Sequence, residues 1–248
     1  MRGSKKTVSM IMAAILAIGL TGCMRMDTVI DTTGSSKHYT VETTTLYNKE
    51  AIDSMSAGED TGTTTANSAG TTAANTAGAG SANSDSADDI QKLPVVTVDG
   101  KQYYQDKVEK ETHPYTKGKP VDGMIVTDSS FYADNSIAGE NPDDLEEAIA
   151  SGMVEQINLK VLFDSKIEKT NGKLDKNKKG VTFSFKFGDS KKVNKNKLFG
   201  EMYAYTDKAE SSLSDDRAVM KEYNTKQKSA GKKKAVTKSN KNKSKSKK

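Results

Sequence analysis

The stretch Val154-Glu155-Gln156-Ile157-Asn158-Leu159-Lys160-Val161-Leu162-Phe163 decides the fold. Every second residue from Ile157 to Phe163 is apolar, while Asn158 and Lys160 fall on the opposite face. A period of two predicts a β-strand with one buried face. Residues 181–187 alternate in the same way and predict a second such strand. Two strands with apolar faces need further partners to close a core.

The flanking sequence supplies those partners. Residues 24–32 and 37–45 surround the turn signal Thr33-Gly34-Ser35, which predicts a hairpin. Further elements are predicted as a short helix over 46–55, a hairpin over 93–108 around Asp99-Gly100, a helix from Asn141 to Ser151, a hairpin turn at Asn171-Gly172 after residues 166–170, and a last strand over 198–205. The predicted fold class is therefore α+β, a β-rich domain over 90–210 with an antiparallel sheet and one or two short helices, flanked by disordered segments.

Residues 56–89 differ sharply in composition from their surroundings. All 34 are Ala, Gly, Ser, Thr, Asn, Asp or Glu. No large apolar side chain is present to offset the entropy of ordering, so a disordered linker or insert is predicted. The hairpin and helix of 23–55 either join the main sheet, which makes 56–89 an insertion, or form an independent membrane-proximal peptide.

The N-terminus has the pattern of an export signal. Arg2, Lys5 and Lys6 precede a short apolar run that ends at Leu20-Thr21-Gly22-Cys23. A basic start, an apolar stretch and a small-residue stop predict a signal peptide over 1–22. An uncleaved span is the alternative, but residues 7–22 fall short of the ~20 apolar residues that a spanning helix needs.

Charge is distributed unevenly along the chain. The net charge of +5 combines +3 in residues 1–22, −9 in 23–220 and +11 in 221–248. Like charges repel, so an extended, disordered tail is predicted over 211–248. Such a tail attracts anionic lipids or phosphate-rich wall polymers but lacks the aromatic residues of a sequence-specific nucleic-acid binder. The alternative is a solubilising tail. The candidate polyanion-binding residues are Lys226, Lys228, Lys232, Lys233, Lys234, Lys238, Lys241, Lys243, Lys245, Lys247 and Lys248.

The sequence contains no motif for catalysis, metal binding or a cofactor. Cys23 is the only cysteine, which excludes an internal disulfide and a cysteine-based metal site. His38 and His113 lack ligand spacing. The acids Asp143, Asp144, Glu146 and Glu147 are interpreted as helix-start residues rather than as paired acid/base groups. The aromatic residues of the predicted strands indicate core packing, with an apolar ligand groove as the alternative.

Three sets of residues resemble known families. Leu20-Thr21-Gly22-Cys23 resembles the lipobox of bacterial lipoproteins, which implies cleavage after Gly22 and attachment of diacylglycerol and palmitate to Cys23. Gly22 to Asp27, followed by a hairpin and a helix-like 46–55, resembles the start of LppM-domain lipoproteins. Thr170-Asn171-Gly172-Lys173-Leu174, followed by Val181-Thr182-Phe183 and Tyr203-Ala204-Tyr205, resembles the end of the β-rich domain in many exported lipoproteins of Gram-positive bacteria. The LppM resemblance implies a curved sheet and, in some members, binding of membrane lipids or glycolipids.

The expected function is a lipid-anchored, extracytoplasmic surface lipoprotein with a non-catalytic binding or envelope-associated role. A carrier of lipids or glycolipids is one alternative. A hydrolase whose carboxylates meet only in the folded chain is the other. The expected location is the outer face of the cell membrane.

Overall fold

The computed structural model describes residues 24–56, 87–106, 108–116, 118–138, 149–150, 152, 154–187 and 198–243. The predicted signal peptide, Cys23 and nearly all of the predicted 56–89 insert lie outside these residues, as do Asn141 and the acids that follow it.

The described residues form strands and helices that are numbered here in chain order. The strands are β1 (Met24–Asp31), β2 (His38–Asn48), β3 (Val95–Val98), β4 (Lys101–Gln105), β5 (Glu109–Pro114), β6 (Met124–Val126), β7 (Ser130–Ala133), β8 (Val154–Leu162), β9 (Ile167–Thr170), β10 (Lys173–Leu174), β11 (Gly180–Lys186) and β12 (Met202–Thr206). The helices are α1 (Lys49–Ser56), α2 (Ala87–Ile90) and α3 (Leu213–Lys243), with a 3₁₀ turn at Asn135–Ala138. The α+β, β-rich class is confirmed.

The larger sheet has the strand order β10-β11-β8-β1-β2-β4-β3, and β5 pairs with β2. The N-terminal strand β1 therefore lies inside the sheet, antiparallel to β2 and parallel to β8. The parallel pair departs from the antiparallel arrangement that the sequence predicts. No tight turn joins β1 to β8, so their direction is free of the constraint that a hairpin imposes.

The smaller sheet has the order β6-β7-β12-β9 and packs on the inner face of the larger one. Ile30, Val161 and Phe183 of the larger sheet share a buried cluster with Phe131 and Met202 of the smaller sheet. The predicted alternation is what places these side chains on one face. Most of the aromatic residues singled out from the sequence are buried in this core and its neighbouring clusters.

The predicted hairpin turn at Asn171-Gly172 is wrong. β9 pairs with β12 in the smaller sheet, while β10 pairs with β11 in the larger sheet, so these two residues carry the chain between the sheets. The Asn171 side-chain amide donates to the backbone carbonyl of Glu201 at 2.7 Å. A Cβ atom on Gly172 would lie 2.5 Å from a methyl carbon of Val181, so glycine is needed here for close approach rather than for a turn.

A second apolar cluster covers the end of the larger sheet where β1 begins. Met24 and Val154 share it with Ile52 of α1, Ile90 of α2 and Leu198. We call this side of the domain the Met24 end. The opposite side, where β1 stops, is the Asp31 end.

Residues 213–243 of the tail that the sequence predicts as disordered form helix α3, and residues 244–248 lie outside the described residues. Ser212 and Asp215 cap its start reciprocally: the Ser212 amide donates to the Asp215 carboxylate and the Asp215 amide donates to the Ser212 hydroxyl. Leu213 and Met220 then pack against Ile125, Tyr132 and Tyr205 on the outer face of the smaller sheet. Leu213 and Met220 lie two helical turns apart on the same face, and they dock the first turns. The many lysines that follow hide this short apolar signal in the sequence.

Candidate functional site

The predicted site residues fall at the two ends of the described chain. Gly22 and Cys23 lie just before it, and Met24, the first residue of β1, is 8% exposed. Lys226 is exposed on α3 and forms an ion pair with Glu222 one turn earlier. The helix backbone continues to Lys243, while Lys245, Lys247 and Lys248 lie outside the described residues.

Side-chain contacts hold the first turns of α3 on the smaller sheet. Arg217 donates to both carboxylate oxygens of Glu201, at 2.6 Å each. The Tyr132 hydroxyl donates to the same carboxylate at 2.9 Å. The hydrogen bonds from Arg217 keep the pKa of Glu201 below its ordinary value of 4.5, although burial acts in the opposite direction.

Asp216 makes a second, buried attachment. Its carboxylate is 3% exposed and accepts hydrogen bonds from the Tyr205 hydroxyl at 2.7 Å and from the Ser211 hydroxyl at 3.2 Å. Burial raises the pKa of Asp216 above its ordinary value, and the two hydrogen bonds only partly oppose that rise. The pKa of Tyr205 is raised too, because the phenol is buried beside a carboxylate.

These shifts predict an acid-sensitive attachment at Glu201. A carboxyl group with a lowered pKa stabilises the docked helix above pH ~4.5 and loses that contribution as the pH falls through its folded value. Asp216, with a raised pKa, has the opposite dependence. We expect Glu201→Gln to weaken docking at neutral pH and to remove the loss on acidification. Backbone NMR shifts of Leu213–Asn224 across a pH titration measure this. Glu210→Gln, an exposed acid on the preceding turn, is the matched control, and an unchanged titration in Glu201→Gln would contradict the assignment.

The contacts of α3 also fix its direction. At the Asp31 end, the Gly34 amide donates to Asp164 at 3.1 Å, and the Asp207 amide donates to the Lys166 carbonyl at 3.2 Å shortly before α3 begins. Eleven residues after the start of α3, the Asn224 side-chain amide donates to the Asp134 carboxylate at 2.8 Å.

The next residue along from Asp134 links this contact to the Met24 end. Asn135 accepts a hydrogen bond from the Phe199 amide at 3.2 Å, and Leu198 packs with Met24 and Val154. Helix α3 therefore runs from the Asp31 end to the Met24 end. The sequence gives no signal for this direction, because it depends on contacts between residues far apart in the chain.

A polar network on the outer face of the larger sheet was not predicted. Arg25, whose side chain is 12% exposed, donates to Asp27 at 2.9 Å and to Asp99 at 2.7 Å. Asn158 donates to Asp27 at 2.6 Å and accepts from Gln156 at 2.8 Å. These bonds fix the β3–β4 turn over the start of β1, so they stabilise the Met24 end.

The two histidines lie on neighbouring strands but on opposite faces of the sheet. Tyr39 is the cross-strand partner of His113, and His38 is the partner of Pro114. Because successive side chains alternate across a strand, His38 and His113 cannot bind the same metal ion. Within the described ranges, no group of three or more potential metal ligands occurs.

Within the same described residues, no helix is both long and apolar enough to cross a bilayer. The fold and its ends thus define a two-sheet, β-rich domain that carries a helix with a basic extension.

Comparison with known proteins gives one similarity of structure. No family model matches the chain, and no curated protein matches it. The NMR structure of the folded domain of LppM from Mycobacterium tuberculosis is similar at 15% identity and a TM-score of 0.31, covering 77% of this chain and 95% of that chain. A TM-score below 0.5 does not demonstrate a shared fold, so the function below is argued from this chain's own residues.

Proposed function

We propose that this protein is a lipid-anchored, extracytoplasmic surface lipoprotein with a non-catalytic, envelope-associated binding role. The observation that supports this proposal is the spacing between the lipobox and the fold. Cys23 ends Leu20-Thr21-Gly22-Cys23, and the next residue, Met24, already belongs to an interior strand of the sheet. Cleavage after Gly22 would remove the export signal and leave every described strand intact.

The basic end of the chain supports the envelope-associated role. Residues 225–243 of α3, which we call the Lys arm, contain eight lysines and no acidic residue. Near an anionic surface, each lysine contributes about 1 kcal/mol of attraction at low ionic strength. Anionic lipids and phosphate-rich wall polymers are the two partners that this charge fits.

Lipid anchoring and a basic segment act together. A single acyl chain gives only marginal membrane binding, and stable attachment takes a second acyl chain or a polybasic patch. The proposed modification of Cys23 with diacylglycerol and palmitate would satisfy this requirement, and the Lys arm would add electrostatic attraction.

Replacing Cys23 tests the anchor. In a bacterial host that lipidates exported proteins, we expect Cys23→Ala to abolish the acylated form, so that the chain is recovered either released from the membrane or as precursor with residues 1–22 attached. Mass spectrometry of the wild-type chain should show an acylated N-terminal Cys23. Ser9→Ala, which changes the signal segment but keeps the lipobox, is the control and should remain acylated. A wild-type chain recovered with residues 1–22 attached and a free Cys23 thiol would refute the proposal.

A further inference from the structure

We infer that the Lys arm (residues 225–243) rests on the anionic headgroups of the same membrane that holds Cys23, so that the Met24 end of the domain faces the bilayer. This inference depends on the proposed anchor. It selects the lipid surface, rather than wall polymer, as the partner of the basic helix.

Cys23 directly precedes Met24, the first residue of β1. One residue of extended chain spans at most about 3.6 Å. Met24 is buried, pairs with Tyr47 of β2 and packs with Val154 of β8. An acyl group on Cys23 therefore holds the Met24 end within a few ångströms of the headgroup layer.

Helix α3 points its basic end toward the Met24 end. The helix starts near the Asp31 end, and its last described attachment to the sheet, Asn224 to Asp134, lies toward the Met24 end. The Lys arm continues from that point for 19 residues of helix. At 1.5 Å per residue it extends about 28 Å beyond the attachment.

The residues that dock the first turns of α3 are not repeated along the Lys arm. Asp216, Met220 and Tyr223 lie on the face of α3 that packs against the smaller sheet. Five helical turns later the same positions are occupied by Lys234, Lys238 and Lys241. The docking positions of the first turns therefore carry lysine later in the helix, and the contact of Asn224 with Asp134 is the last described attachment along α3.

The headgroup layer is the anionic surface nearest to the Lys arm. The Lys arm begins just after the contact of Asn224 with Asp134, toward the end of the domain that the proposed anchor holds on the membrane. Lysine at the bilayer centre is strongly unfavourable, so the arm cannot enter the hydrocarbon. Anionic headgroups attract lysine within about one Debye length, roughly 10 Å at 0.1 M salt, so the arm settles at the level of the headgroups.

The test uses the single cysteine of the chain. Lipidation blocks Cys23, so one introduced cysteine can be labelled selectively with a fluorophore. Ser229→Cys places the label on the exposed side of the Lys arm, and Ser36→Cys places it at the exposed Asp31 end as the matched control. The full lipidated chain is reconstituted in phosphatidylcholine vesicles with or without phosphatidylglycerol, and a quencher is attached to the headgroups.

We expect several-fold stronger quenching at residue 229 than at residue 36 in vesicles with phosphatidylglycerol. The difference should fall at high salt and in phosphatidylcholine alone. Equal quenching at both positions in anionic vesicles would overturn the inference, and so would loss of the difference when wall polymer is added at equal phosphate. Labelling stoichiometry separates the two proposals: two labels per chain mean a free Cys23 and failure of the anchor, while one label with equal quenching means failure of the membrane-bound arm only.

Discussion

Phe131→Ala is expected to destabilise the domain by about 3–5 kcal/mol, because it removes a large side chain from the centre of the packing between the two sheets. Phe131 is 0% exposed and contacts Phe183 across the sheets, with ring centroids 5.9 Å apart. Domains of this size are stable by only about 5–15 kcal/mol in total, so the variant should lie near the limit of folding. Urea unfolding followed by circular dichroism measures the change.

Val95→Ala provides the matched comparison. Val95 lies on the edge strand β3 and is 47% exposed. Its truncation leaves little cavity, so we expect a change within about 0.5 kcal/mol. If Phe131→Ala and Val95→Ala shift the urea midpoint equally, the two sheets do not pack as described.

The strands that form the core could be predicted from the sequence, because their signal is local. The alternation in 154–163 and 181–187 puts Leu159 opposite Phe183 and Val161 opposite Val181 in the sheet. The backbone of a strand sets this period of two, so the buried face can be identified from the sequence even when the partner strand is unknown. The class and the main apolar face follow from it.

The arrangement of the strands could not be predicted in full, because pairing between distant segments leaves no local trace. The parallel pair of β1 and β8 joins residues more than 120 positions apart, such as Ile30 and Val161. At Asn171-Gly172 a strong local turn signal was misleading. Gly172 permits close packing on Val181. In the sequence, a glycine needed for close packing cannot be told apart from a glycine needed for a turn.

In the candidate site, too, features with a local signal could be predicted and features that depend on distant contacts could not. A short motif points to Cys23, and composition points to the Lys arm. The helical state of residues 213–243 was missed, although Ser212 and Asp215 form a capping signal and Leu213 and Met220 supply docking residues. The lysines that follow these residues give the segment the composition of a disordered tail. That the helix runs toward the Met24 end requires the tertiary contacts of Asn224 and Phe199.

A chain that begins at residue 57 is expected not to fold, because it lacks β1 and β2. These strands join β8 and β11 on one side to β4, β3 and β5 on the other. Without them, one edge of β8 is unpaired and β4 and β5 lose their partner β2. Met26, Ile30, Tyr39 and Tyr47 are also lost from the core. We expect no cooperative urea transition, whereas a cooperative transition in this truncated chain would show that residues 24–56 are not part of the fold.

Deleting residues 57–86 should have a far smaller effect. The ends to be joined belong to α1 and α2, which pack together through Ile52 and Ile90, and Gln91 donates to Asp53 at 3.3 Å. A short Gly/Ser connection can therefore span the gap, and the closure entropy of a loop changes only slowly with its length. We expect the urea midpoint to remain within error of the full chain. Counted from Cys23, the two deletions remove 34 and 30 residues, so the contrast between them measures whether the N-terminal hairpin, placed directly after the proposed anchor, is an integral part of the domain.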